Sequence, residues 1–82
     1  MEREVDRMNI TKTLDAKGLA CPMPVVRTKK VMDTMNSGEV LEVLATDKGS
    51  LSDIPAWAKI GGHTIIDQKT EGDSLYFYIQ KS

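Results

Sequence analysis

A chain of 82 residues with a net charge of −1 has room for one small domain, and its 40% hydrophobic and 28% charged content is ordinary for a globular protein. The near-neutral balance argues against broad phosphate-driven binding to nucleic acid, and no apolar run approaches the roughly 20 residues needed to span a bilayer. The N-terminus lacks the basic-then-apolar-then-small pattern of a secretory signal, so the expected location is the cytoplasm, with no membrane partner. The chain has a single cysteine and a single histidine, which exclude an internal disulfide and a structural zinc site. No metal and no cofactor are expected. A lone thiol in a reducing compartment is either inert packing or a reactive group.

Residues 1–9, MEREVDRMN, are charged and without clear periodicity, and read as a mobile N-terminal extension. From Ile10 to Asp15 the alternation predicts a strand with Ile10 and Leu14 on one side and Thr11 and Thr13 on the other. Lys17-Gly18 breaks it. A helix is expected over Pro22 to Asn36, with an apolar stripe of Val25, Thr28, Val31, Met32 and Met35, ended by Ser37-Gly38. Val40 to Thr46 reads as a strand and Asp47-Lys48-Gly49 as a loop. The second helix begins between Ser50 and Ser52 and ends at Gly61-Gly62, burying Leu51, Ile54, Trp57 and Ala58. Pro55 is awkward if Ser50 is the cap and comfortable in the first turn if Ser52 is. Thr64 to Thr70 and Leu75 to Gln80 are strands joined by a hairpin turn at Glu71-Gly72-Asp73-Ser74.

The order β-α-β-α-β-β, with right-handed crossovers, places both helices on one face of the sheet. The fold class is therefore α+β, a two-layer sandwich whose other face is partly wet. Tyr76, Tyr78, Glu42 and Gln68 are expected on that open face.

Cys21 falls at the expected N-cap of the first helix, with Pro22 at the first helical position, where proline is pre-set for helix. The positive end of a helix stabilises a nearby thiolate, typically by about 0.3–1 kcal/mol. Pro24 has no N–H, which leaves the Met23 N–H as the main first-turn donor for sulfur. The motif is thus built for rigidity and exposure, and only a modest depression of the thiol pKa is expected. Free cysteines are often small buried hydrophobes; the proline-flanked cap position after a glycine turn points instead to a reactive thiol.

The stretch LDAKGLACPMPVVRTKK resembles the TusA/SirA-like family of sulfur carriers. The matching positions are Asp15, Gly18-Leu19 and Cys21-Pro22-Met23-Pro24, supported downstream by Gly38-Glu39, Asp47, Asp53-Ile54-Pro55 and Gly62-His63. The resemblance covers residues 10–82. It implies a mixed four-stranded sheet with two helices on one face and the last strand antiparallel to the other three. It also implies that Cys21 accepts a sulfane sulfur as a persulfide from a donor protein, such as a cysteine desulfurase or rhodanese. The sulfur then passes to an acceptor protein with a reactive cysteine. Gly18, Leu19, Pro22, Met23 and Pro24 would support that thiol. Such a protein acts as a carrier more than as a self-contained enzyme. Some members carry a basic residue before the cysteine; here it is Ala20, so positive charge must come from Lys17, Arg27 or Lys29, or from the partner. Transfer into tRNA thiolation, sulfur oxidation, molybdenum-cofactor supply and selenium metabolism all occur around this family, so any nucleic-acid role would be indirect.

Lys17, Arg27, Lys29, Asp47 and Asp53 are candidates for partner docking. Their plain alternative is a solvated helix face for the basic residues, a turn for Asp47 and a favourable helix start for Asp53. His63 precedes the third strand, which places it at the far end of the sheet from Cys21, in an exposed loop and not as a base. The competing reading of the whole chain is a non-catalytic regulatory or protein-interaction module on the same fold. A nucleic-acid-binding role is a weaker third, lacking an aromatic-and-basic surface motif.

Overall fold

The computed structural model describes residues 10–20 and 22–82; residues 1–9, and with them the expected extension, lie outside the described residues, as does Cys21. Six elements follow in order: β1 (Ile10–Asp15), α1 (Met23–Met32), β2 (Val40–Ala45), α2 (Ser50–Ile60), β3 (Thr64–Glu71) and β4 (Ser74–Gln80). The four strands form one sheet in the order β1-β2-β4-β3. β1 and β2 are parallel, and β4 runs antiparallel between β2 and β3. Three strands therefore share one direction and only β4 opposes them, which is the mixed sheet that the resemblance implied.

Period-two alternation sorts the two sheet faces. Leu41, Val43 and Ala45 of β2 and Leu75, Phe77 and Ile79 of β4 form one core with Met32, Met35, Ile54 and Ala58. Both helices contribute to that core, so both cover the same face. Each helix buries a stripe with four-residue spacing that starts in its first turn. In α1 it is Pro24, Thr28 and Met32; in α2 it is Ser50, Ile54 and Ala58.

That second stripe corrects an expectation. The α-helix of α2 begins at Ser50 after Gly49, at the early edge of the expected Ser50–Ser52 range, and this start sets a phase that takes Leu51 out of the expected buried stripe. Leu51, one residue and about 100° away, turns out of the core and is 40% exposed. Pro55 is consequently inside the helix, where it removes one backbone bond. The first turn is tightened by bonds from the Leu51 N–H to the Lys48 carbonyl (3.1 Å) and from the Ser52 N–H to the Gly49 carbonyl (3.2 Å).

α1 is shorter than its periodicity predicts. It ends at Met32, and the chain leaves through three-residue bonds, Thr34 N–H to Val31 O and Met35 N–H to Met32 O, both 3.0 Å. Met35 still reaches the core from this turn, which explains why the apolar spacing ran past the helix end.

On the open face, Glu42 pairs with Tyr78 across the β2–β4 ladder, and Tyr76 lies one pleat away, as alternation predicts. Gln68 does not join them. A bulge between Ile65 and Asp67 shifts the register so that Gln68 pairs with Phe77 on the helix side. Asp67 and Lys69 take the open face instead, and the Lys69 ammonium lies 5.3 Å from the centre of the Tyr76 ring. The β3–β4 hairpin closes at Gly72, whose φ of +58° is the left-handed conformation glycine adopts freely. Among the described residues, no helix is long and apolar enough to cross a membrane.

Candidate functional site

β1 and β2 are parallel, so the loops after them, and the starts of α1 and α2, lie at one edge of the sheet. The loop after β1 is tied down along its length. The Ala16 N–H donates to the Leu44 carbonyl (2.8 Å), extending the β1–β2 ladder by one residue, and its side chain is fully buried. The Asp15 carboxylate accepts the Lys17 N–H (3.0 Å), and the Ala16 carbonyl accepts the Leu19 N–H (3.2 Å). Gly18 turns with φ +83°, which any other residue would adopt under strain, and its N–H donates to the Thr46 hydroxyl (2.9 Å). The loop leading to position 21 is thus fastened to β2 at Ala16 and to the residue after β2 at Gly18.

Cys21 lies outside the described residues, but the groups on both sides of it are placed. The Met23 N–H donates to the Ala20 carbonyl (2.9 Å), closing a four-residue turn. The Val26 N–H donates to the Pro22 carbonyl (3.0 Å), which is the first helical bond. Pro22, with φ −95° and ψ 11°, is therefore the cap residue, and Met23 and Pro24 are the first two helical positions. The expected assignment, a cap at 21 with Pro22 first in the helix, is one residue too early. The Met23 N–H, expected to serve the sulfur, is taken by the Ala20 carbonyl. Of the supporting residues, Pro24 is buried and anchors the turn against the core, Leu19 is half-buried, and Gly18, Pro22 and Met23 are exposed. Met23 and Val26 on α1 and Leu51 on α2 leave apolar side chains exposed at the two helix starts.

The docking candidates separate by position. Lys17 is exposed in the β1–α1 loop, Asp47 is half-buried in the β2–α2 loop, and Asp53 is half-buried in the first turn of α2. These three share the edge with position 21. The Asp47 carbonyl accepts the Ser50 N–H (3.0 Å), and Asp53 complements the positive start of α2. Arg27 is exposed one turn into α1, and Lys29, farther along, pairs with Asp33 at 3.1 Å on the solvent side. His63 lies at the opposite end of the sheet, as expected, but it is half-buried and not loose in a loop. Its ring packs on Trp57 with centroids 5.0 Å apart, and its Nδ1 accepts the Ser82 N–H (3.1 Å). Burial, and then the Lys81 charge, lower its pKa below the ordinary 6.5, with Asp33 opposing.

Two residues of this edge carried no sequence signal. Thr46 looked like the end of a strand, and its hydroxyl holds Gly18. Ser50 was hidden by the ambiguous helix start around Pro55.

The family model described as Sulfurtransferase TusA matches residues 12–81. The chain belongs to the TusA family. It is 61% identical over 74 residues to YrkI of Bacillus subtilis, an alignment covering 90% of this chain and 99% of that protein. It is 49% identical over 69 residues to the sulfur carrier protein TusA of Allochromatium vinosum, covering 84% of this chain and 91% of that one. The solved structure of a SirA-like protein from Desulfitobacterium hafniense superposes with a TM-score of 0.77 at 26% identity, over 85% of this chain and 96% of its own. The TusA family resemblance in the motif around Cys21 thus extends through the whole sheet and both helices.

Proposed function

We propose that this TusA-family chain is a sulfur carrier whose residues 10–82 form the carrier domain and whose Cys21 holds the transferred sulfur as a persulfide. The observation that supports this most is the fastening of the β1–α1 loop, at Ala16 to Leu44 of β2 and at Gly18 to the Thr46 hydroxyl just after it, shortly before the Cys-Pro-x-Pro sequence. Rigid presentation of a thiol is what sulfur exchange between proteins requires. The Cys21 thiolate attacks the outer sulfur of a donor persulfide; the new S–S bond forms as the old one breaks, and the donor leaves as thiolate. An acceptor thiolate later attacks the outer sulfur on Cys21, which returns as thiolate. No net oxidation occurs, and the proton balance is set by the three thiols. The step needs no base within the carrier, in keeping with His63 at the far end of the sheet.

The partners under this reading are a sulfur donor such as a cysteine desulfurase or rhodanese, and an acceptor with a reactive cysteine. Under this reading Lys17, Arg27, Asp47 and Asp53, with the exposed Met23, would meet them, while Lys29 pairs with Asp33. A reducing compartment, the cytoplasm, keeps the thiol available. Incubation with a cysteine desulfurase and cysteine, followed by intact mass measurement, tests the proposal. One added sulfur is expected, absent from Cys21→Ala. Failure to gain it from several competent donors would leave the interaction-module reading.

A further inference from the structure

We propose that His63 is a pH-operated latch: its neutral ring holds the chain after β4 against the turn between α2 and β3, and protonation of the ring releases it. The ring Nδ1 accepts the Ser82 N–H at 3.1 Å, so it carries a lone pair there and the ring proton sits on Nε2. Protonation places a second N–H on the ring, at Nδ1, which then faces the Ser82 N–H donor to donor. The contact therefore changes sign instead of weakening.

Ser82 is seated on three consecutive residues. Its N–H meets the His63 ring, its hydroxyl lies 3.5 Å from the Gly61 carbonyl oxygen, and its Cβ lies 3.8 Å from where a side chain on Gly62 would begin. The ring is itself held in place. The His63 N–H donates to the Ala58 carbonyl (2.8 Å), and the imidazole packs on Trp57 with centroids 5.0 Å apart. With His63 anchored, the conflict falls on the exposed Ser82. Lys81 is fastened elsewhere. Its N–H donates to the Glu39 carbonyl (2.8 Å), and its own carbonyl accepts the Gly38 N–H (2.9 Å). Release thus acts on Ser82 and leaves β4 paired in the sheet.

The surroundings set the direction of the switch. Lys81, after β4, disfavours a charged ring, and Asp33, after α1, favours one. α2 meets the ring with Trp57, which does not titrate, and its last-turn Lys59 is exposed. The Glu39 carboxylate is engaged by the Asn36 N–H at 2.8 Å. Burial and Lys81 outweigh Asp33 and lower the ring below its ordinary 6.5, so the latch is closed at neutral pH and opens below that value. It lies at the opposite end of the sheet from the Cys-Pro-x-Pro loop, and its operation is independent of the carrier reading.

Nuclear magnetic resonance of the nitrogen-15-labelled full chain tests this. At about pH 7.5 the imidazole spectrum is expected to show the Nε2–H tautomer. On acidification the Ser82 amide should lose its protection against exchange, measured relative to an unstructured amide, with the midpoint of the His63 ring. Each pH unit below that midpoint leaves roughly tenfold fewer neutral rings, and protection should fall with them. The Lys81 amide should keep its protection throughout. His63→Phe retains an aromatic ring against Trp57 without an acceptor, and should leave Ser82 unprotected at every pH. His63→Asn supplies a non-titrating oxygen acceptor and should hold Ser82 across the whole range. Where circular dichroism shows that a variant has not folded, the unmodified chain decides alone. An Nδ1–H tautomer at neutral pH would overturn the proposal, as would Ser82 protection that ignores the His63 titration or is lost together with that of Lys81.

Discussion

Tyr78 lies on the sheet face without helices and is nevertheless buried. Its hydroxyl donates to Glu42 Oε2 (2.8 Å), and the Thr13 hydroxyl donates to Glu42 Oε1 (3.1 Å), so one carboxylate joins three adjacent strands. Burial raises the Tyr78 pKa well above its ordinary value of 10, and the hydrogen bond to Glu42 and its charge add to the shift. The native state therefore holds the phenol proton more tightly than the unfolded chain does. This contribution to stability is complete below pH 10 and is lost as the pH rises beyond it. Tyr78→Phe is expected to destabilise by about 1–2 kcal/mol in urea unfolding at neutral pH, because a charge-assisted bond is lost. The pairing of Glu42 with Tyr78 was legible from alternation. The misplacement of Gln68 was not avoidable, because the bulge at Ile66 has no glycine or proline to mark it.

At the scale of elements, the end of α2 is fitted to the residue that follows it. A Cβ on Gly61 would meet the His63 ring at 2.9 Å from Cδ2 and 3.0 Å from Nε2. That ring is backed by Trp57, so it has little freedom to yield. Gly61→Ala is expected to cost about 1–2 kcal/mol through overpacking. It should also change Trp57 fluorescence by shifting the imidazole; unchanged emission and an unchanged melting temperature would contradict this. The start of α1 shows how far an element can be read locally. The two prolines announced a helix start to within one residue, but whether Pro22 or Cys21 is the cap depends on the Ala20–Met23 turn, which the fastened loop imposes.

For the whole molecule, His63 is where α2, the approach to β3 and the residues after β4 meet. Trp57 packs on it, the Ser82 N–H donates to it, and Lys81 and Asp33 set its electrostatic surroundings. Its pKa is lowered in the fold, so the unfolded chain binds this proton more readily. The histidine is fully compatible with the fold above pH 6.5 and weighs against it as the pH falls through that value. The urea midpoint is expected to drop between pH 7.5 and 5.5, and His63→Phe should flatten that part of the dependence. An identical pH dependence in the variant would place the titrating group elsewhere.

The sequence by itself determined the element order, the two-layer architecture and the single cysteine around which function is proposed, because period, turn residues and the Cys-Pro-x-Pro spacing are local properties. Tertiary structure decided the strand-to-strand register, the phase of α2, and the bonds that tie Gly18 to Thr46 and leave the Ser50 hydroxyl without a partner among the described residues. They depend on an unmarked bulge in the β3–β4 hairpin, on a helix start fixed by packing, or on groups 28 residues apart meeting beside the sheet, as Gly18 and Thr46 do, and no local pattern encodes any of these. Cys21 was therefore legible as a residue, while its surroundings had to be read from the fold.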